Sequence, residues 1–171
     1  ACPGDTPSSA TSNSTSAVVA DRGRTMASFG GRVERTRISG AGGVAGLYSV
    51  NATGLAIQNN VVADCANGGI LVHRWTEGED GTIVSGNRIA RVRSAGGGTG
   101  QRGNGINLFR TSSVQVANNH ISDCAFSAIR ANSASNAMII GNSCIRSGET
   151  AIYAEFSFQG SLIANNIVDG G

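Results

Sequence analysis

Lysine is absent: all 13 basic residues of this 171-residue chain are Arg. Set against 11 acidic residues, they leave a net charge of +2, a balance that calls for no nucleic-acid partner. Charged residues make up only 14% of the chain and aromatics 5%, and there are 2 prolines. Apolar residues do not recur at the 3.6-residue spacing of a helix, and good helix formers are sparse, which excludes helical repeats. No apolar run approaches the roughly 18 residues of a membrane-spanning helix, so no span is expected. The four cysteines (2, 65, 124 and 144) form no CxxC pair and no metal-finger spacing, and they do not fix a compartment. The chain starts at Ala rather than Met and shows no signal peptide, so it is expected to be processed or cut from a longer protein.

What is present is 25 glycines with many Asn, Val and Ile, a mixture that suits short strands joined by tight turns. It is organised as a repeat. The stretch IQNNVVADC (57–65) returns as VANNHISDC (116–124), with Asn, Asp, Cys and the apolar sites in register. Asn60, Asn87, Asn119, Asn142 and Asn166 recur at steps of 27, 32, 23 and 24 residues, and each follows an Asn or Gly. A bend between two strands needs a residue with positive φ, which Gly and Asn adopt most readily. The Asn that follows can exchange amide hydrogen bonds with its copies above and below. Three short strands per repeat of this length predict an all-β, right-handed parallel β-helix of about five to six coils.

One strand is expected before each bend (55–57, 82–84, 114–116, 137–139) and one after it (61–63, 88–90, 120–122, 143–145). The third lies in GILV (69–72), GINL (105–108), AIRA (128–131) and AIYA (151–154), with a degenerate early copy in VERTRI (33–38) and GLYS (46–49). Alternation along the third strand puts Leu47, Ile70, Ile106, Ile129 and Ile152 inside. It turns two rows outward: Tyr48, Leu71, Asn107, Arg130, Tyr153 and Val50, His73, Phe109, Asn132, Glu155.

The asparagine ladder at a two-residue bend resembles the right-handed β-helix superfamily of pectate lyases and related polysaccharide enzymes. CANGGILVHRWTEGEDGTIVSGNRI (65–89), GNGINLFR (103–110), NNHISDCAFSAIRANSASN (118–136) and AIYAEFSFQG (151–160) are more similar still to a family of uncharacterised bacterial repeat proteins exported by the twin-arginine route. The resemblance covers residues 33–171 and implies the fold and export to the periplasm or beyond. It implies no particular activity. In the polysaccharide enzymes, substrate lies along one sheet flanked by the longer loops, and here residues 73–81 and the insertion 93–103 flank the third-strand sheet.

That sheet collects the side chains best suited to sugar. Arg130 and Arg110 could neutralise a uronate carboxylate, and Tyr153 or His73 could take the adjacent proton, as a lyase or epimerase requires. Tyr48 and Trp75 offer stacking faces, and Asn107, Asn132 and Glu155 offer polar contacts. The expected partner is a polysaccharide. The same residues could bind it without turnover, and a non-catalytic scaffold face is the alternative, because outward residues of a β-helix are often only solvated.

Other features read structurally. Glu77, Glu79 and Asp80 cluster hard oxygen ligands and could hold Ca²⁺, although an exposed acidic loop explains them as well; no cofactor is required. His73 and His120 fall on different coils, which argues against a shared metal. Asp64, Arg91, Asp123 and Arg146 alternate in sign from coil to coil, as a register-fixing charge ladder. Cys65 and Cys124 have a coil between them, about 9–10 Å, beyond the ~7 Å reach of a disulfide. The domain reading is a disordered Ser/Thr-rich leader over 1–16, an irregular cap or first degenerate coil over 17–45, and β-helix over 46–171. NNIVDGG stops in mid-coil, so the chain is expected to continue or to self-associate at that end.

Overall fold

A computed structural model describes residues 17–20, 30–98 and 100–170. Strand β1 (Ala17–Ala20) precedes a series of coils. The first has β2 (Arg32–Glu34), β3 (Arg37–Ser39) and β4 (Leu47–Val50). The second has β5 (Ala56–Gln58), β6 (Val61–Ala63) and β7 (Gly68–Glu79), and the third has β8 (Ile83–Ser85), β9 (Arg88–Val92) and β10 (Asn104–Ser112). Then come β11 (Gln115–Ala117), β12 (His120–Cys124) and β13 (Ile129–Asn132), followed by β14 (Met138–Ile140), β15 (Ser143–Ser147) and β16 (Ile152–Glu155). Finally, β17 (Leu162–Ala164) and β18 (Ile167–Asp169) open a further coil.

Like strands of successive coils stack in parallel, giving three six-stranded sheets: β1-β4-β7-β10-β13-β16, β2 to β17, and β3 to β18. The architecture is an all-β parallel solenoid of about six turns. The coils reach to the N-terminal side of residue 46 through β2 and β3. The strands before the bend start one residue later than expected. Residues 1–16, read as a leader, lie outside the described residues. Among the described residues, no helix is long and apolar enough to cross a membrane.

The asparagine ladder holds the coils at one height. Asn59, Gly86, Asn118, Gly141 and Asn165 sit at φ 55–65°, as the bend requires. Asn60 Nδ2 donates to Asn87 Oδ1 at 3.0 Å, Asn87 to Asn119 at 2.9 Å, Asn119 to Asn142 at 2.9 Å and Asn142 to Asn166 at 3.0 Å. Each of these amides also donates to a backbone carbonyl of the preceding coil, as Asn119 does to Val84 O at 2.9 Å. At the first, degenerate coil Thr36 N takes over and donates to Asn60 Oδ1.

Ile70, Ile106 and Ile129 form one fully buried inward column, and Val72, Leu108 and Ala131 form the next. Cys65, Cys124 and Cys144 are buried and unbridged. Burial pushes the thiols of Cys65 and Cys144 up to about 11 and that of Cys124 up to about 12.

The charge ladder forms as two pairs. Arg91 Nε and Nη2 donate to Asp64 at 2.6 and 2.8 Å, and Arg146 does the same to Asp123. All four residues have φ of 51–56°. They stand out of the ladder where Ala90, Val92 and Ser122, Cys124 keep theirs.

Candidate functional site

The two outward rows expected on the third-strand sheet are the observed register. Tyr48 pairs with Leu71, Leu71 with Asn107, Asn107 with Arg130, and Arg130 with Tyr153. Val50, His73, Phe109, Asn132 and Glu155 align in the same way. Leu71 and Asn107 are nevertheless almost fully buried, at 2% and 3% exposure. For Asn107 the cause is the 93–103 insertion, which folds back over the sheet. Asn67 anchors that segment, accepting from Gly96 N at 2.7 Å through Oδ1 and from Gly103 N at 2.5 Å through its carbonyl. Asn107 Nδ2 then donates to the carbonyl of Gln101 at 3.3 Å.

The other flank is not a loop. β7 continues through Glu79 with a wide bulge: His73 pairs with Phe109 and Gly78 with Thr111, so residues 74–77 stand opposite Arg110 alone. The bulge is tied at Trp75. Its N–H donates to Asn51 Oδ1 at 2.9 Å, and its carbonyl accepts from Arg110 Nη1 at 2.8 Å. The Trp75 side chain is left 67% exposed.

Between bulge and insertion lies a partly open cleft of about 300 Å³, at the small end of ligand sites. His73, Asn107, Phe109, Arg130 and Asn132 form its floor, and Arg74, Trp75 and Gln101 its sides. The His73 ring is held edge-on between Tyr48 at 5.1 Å and Phe109 at 5.5 Å. Burial, with a smaller contribution from the Arg130 charge, lowers its pKa to about 4, so the imidazole is neutral at neutral pH. Burial raises the Tyr48 phenol. Arg130 donates through Nε to Glu155 Oε1 at 2.6 Å and again through Nη2, and Asn132 Nδ2 donates to the same oxygen at 2.9 Å.

Among the described residues, three buried polar atoms of the cleft residues find no partner: His73 Nε2, Asn107 Oδ1 and Arg74 Nε. A buried polar atom without a partner costs about 1–3 kcal/mol, so these three atoms are unmet hydrogen-bonding groups on residues that line the cleft.

The structure therefore brings together His73, Trp75, Asn107, Arg130 and Asn132. It does not bring Tyr153 into the cleft; that side chain is exposed, one strand beyond Arg130. Tyr48, Arg110 and Glu155 flank the lining residues on the same face, Arg110 with its guanidinium 4.9 Å over the Phe109 ring. Gln101 was not singled out as a binding residue by its sequence; it lies in the insertion, whose place beside the sheet was its only signal.

The structure does not bring the calcium candidates Glu77, Glu79 and Asp80 together. Asp80 is drawn inside the coil, where Oδ1 accepts from Thr82 N at 3.1 Å and Oδ2 lies 3.9 Å from Arg74 Nη1, while Glu77 and Glu79 stay exposed. Burial raises the Asp80 pKa. Among the described residues, no group of three His, Cys, Asp or Glu is placed to hold a metal ion.

Compared with known families, residues 6–170 match the family model described as periplasmic copper-binding protein (NosD). No curated protein matches the chain, and no solved structure does.

Proposed function

The chain belongs to the periplasmic copper-binding protein (NosD) family, and from that premise we propose that it is a periplasmic β-solenoid that binds a glycan in the cleft beside Trp75, without turning it over. The donors present do not suit copper. Copper prefers thiolate, thioether and imidazole ligands. The three described thiols are closed inside the coils and held protonated by burial. His73 has aromatic rings on both sides and the Arg130 charge nearby. His120 is exposed on β12, in a different sheet. Met138 stands alone on β14, and the described residues do not fit a copper ion.

The observation that carries the glycan reading is the pair of unpartnered atoms, His73 Nε2 and Asn107 Oδ1, in a cleft beside an exposed indole. A sugar hydroxyl both donates and accepts, which suits an amide oxygen and a neutral imidazole nitrogen together. The Trp75 face suits the C–H surface of a pyranose. Turnover is disfavoured by the surroundings of Arg130. Its Nε and one Nη2 donor are engaged by Glu155; of the two expected bases, Tyr153 is outside the cleft, and His73, which is inside it, is held to a pKa of about 4 and is a weak base.

Trp75 is the chain's only tryptophan, so its fluorescence reports the cleft directly. Oligosaccharides are expected to shift its emission saturably, and Asn107→Ala is expected to abolish the shift. Absorbance of an unsaturated uronate product should stay flat. If no oligosaccharide alters Trp75 emission and none is retained by the protein, the glycan reading fails.

A further inference from the structure

We infer that the sugar this cleft accepts is an uncharged, hydroxyl-bearing unit and not a uronate. This rests on the glycan-binding reading and narrows it to a ligand class. It departs from the expectation of an acidic polysaccharide, which followed from Arg130 and Arg110 as partners for a uronate carboxylate.

Those arginines are matched in place. Arg130 and Glu155 are 12% and 15% exposed, and the Glu155 carboxylate takes both the Nε and Nη2 donors of the guanidinium. The side-on edge of the guanidinium is therefore filled from within the protein, and a ligand carboxylate approaching the remaining Nη1 edge would meet a charge already offset by Glu155. Arg74 faces the fully buried Asp80 carboxyl at 3.9 Å and donates to Ala52 O at 3.3 Å. Arg110 is exposed on the rim, where solvent and salt screen it. The remaining polar lining consists of the amides Gln101, Asn107 and Asn132 and the neutral His73.

The decisive group is Asn107 Oδ1. Donation from Asn107 Nδ2 to the Gln101 backbone carbonyl fixes the amide orientation, because a carbonyl can only accept. The atom left unpaired is thus an acceptor, 3% exposed as part of Asn107. It needs a donor from the ligand. With C6 of the sugar turned to this atom, a hydroxymethyl group supplies one, whereas a C6 carboxylate is acceptor-only and would set oxygen against oxygen in a site where water is scarce.

The test uses matched pairs of oligosaccharides that differ at C6: gluco- and glucurono-, manno- and mannurono-, galacto- and galacturono-oligomers. Each is titrated into the full chain and followed by Trp75 fluorescence and calorimetry. At least one neutral oligomer should bind, and its uronate twin should bind at least about tenfold more weakly. A uronate that binds as tightly as its neutral twin, or more tightly, overturns the inference and leaves the glycan reading standing. If neither member of any pair binds, both fall. Glu155→Gln frees the Arg130 charge, so it should move the uronate-to-neutral affinity ratio toward the uronate, in a salt-dependent way. A ratio that does not move would contradict the idea that Glu155 is what closes the site to carboxylates.

Discussion

Replacing Asn119 with Ala should be among the most damaging single changes to this fold that leave its apolar core untouched. The amide of Asn119 is 2% exposed and makes four hydrogen bonds. Its Oδ1 accepts from Asn87 N at 3.0 Å and Asn87 Nδ2 at 2.9 Å; its Nδ2 donates to Asn142 Oδ1 and Val84 O, both at 2.9 Å. Truncation strands two donors of Asn87 inside the solenoid, where water cannot replace the lost acceptor. At about 1–3 kcal/mol for each buried group left unpaired, the loss is about 2–6 kcal/mol, comparable with the whole stability of a small domain. Asn166 is the control. It accepts the same pair of bonds from Asn142, but it sits at the last described rung and is only partly buried, so water can stand in. Urea unfolding followed by circular dichroism would compare Asn119→Ala, Asn166→Ala and the isosteric Asn119→Asp, which keeps the acceptor but turns an oxygen toward Asn142 Oδ1 and Val84 O. The expected order of damage places both Asn119 variants well above Asn166→Ala. Equal effects at the two rungs, or a loss under about 1 kcal/mol at Asn119, would refute the view that the ladder's value lies in satisfying buried amides.

His73 should make stability depend on pH. Its folded pKa of about 4 lies below the usual value of 6.5, so the unfolded chain takes up the proton first as pH falls. Stability is then full above about pH 6.5 and falls by up to about 3 kcal/mol on going to pH 4, and His73→Gln should flatten that part of the profile in denaturant titrations at stepped pH. The three core thiols should be silent to a disulfide-exchange reagent in a Cys2→Ser background and react together once the protein is unfolded; a native-state reaction would show that the coils open locally around Cys65, Cys124 or Cys144.

The parts of this fold that could be read from the chain are those set by strict alternation and by a residue type with one physical use. Asn or Gly at a positive-φ bend, followed by Asn at one height, located every rung, and alternation then placed both outward rows in their true register. The charge ladder was legible as a pairing and not as a conformation. Asp64, Arg91, Asp123 and Arg146 all take φ of 51–56°, a conformation usually left to Gly or Asn, and an Arg there carries no sequence signal. The bidentate Arg–Asp contact between adjacent coils accompanies it. Residues 73–81 read as a loop because Glu, Gly and Asp crowd there, yet pairing with β10 carries β7 past them at the cost of a bulge. Neighbouring strands overrode local composition, as tertiary context does for strand propensity in general.

The site was harder to read because its meaning lies in who pairs with whom across coils. Arg130 stood in the right row, and the natural reading was a guanidinium waiting for a ligand carboxylate. What changes that reading is Glu155, directly opposite Asn132 on the next strand and therefore diagonal to Arg130. With strands about 4.8 Å apart and side chains on one face recurring every second residue, a carboxylate one coil up and two residues along is within reach of an Arg. Both residues were already in the outward rows, so the pairing followed from the register alone. The acceptor of Asn107 did not. Its lack of a partner depends on Gln101, delivered by an insertion whose path is set by Asn67 in the preceding coil, and no periodicity describes that path. In a solenoid of this kind the repeat specifies the scaffold and the charges of the groove. The interruptions of the repeat decide which polar atoms of the cleft residues go unpaired.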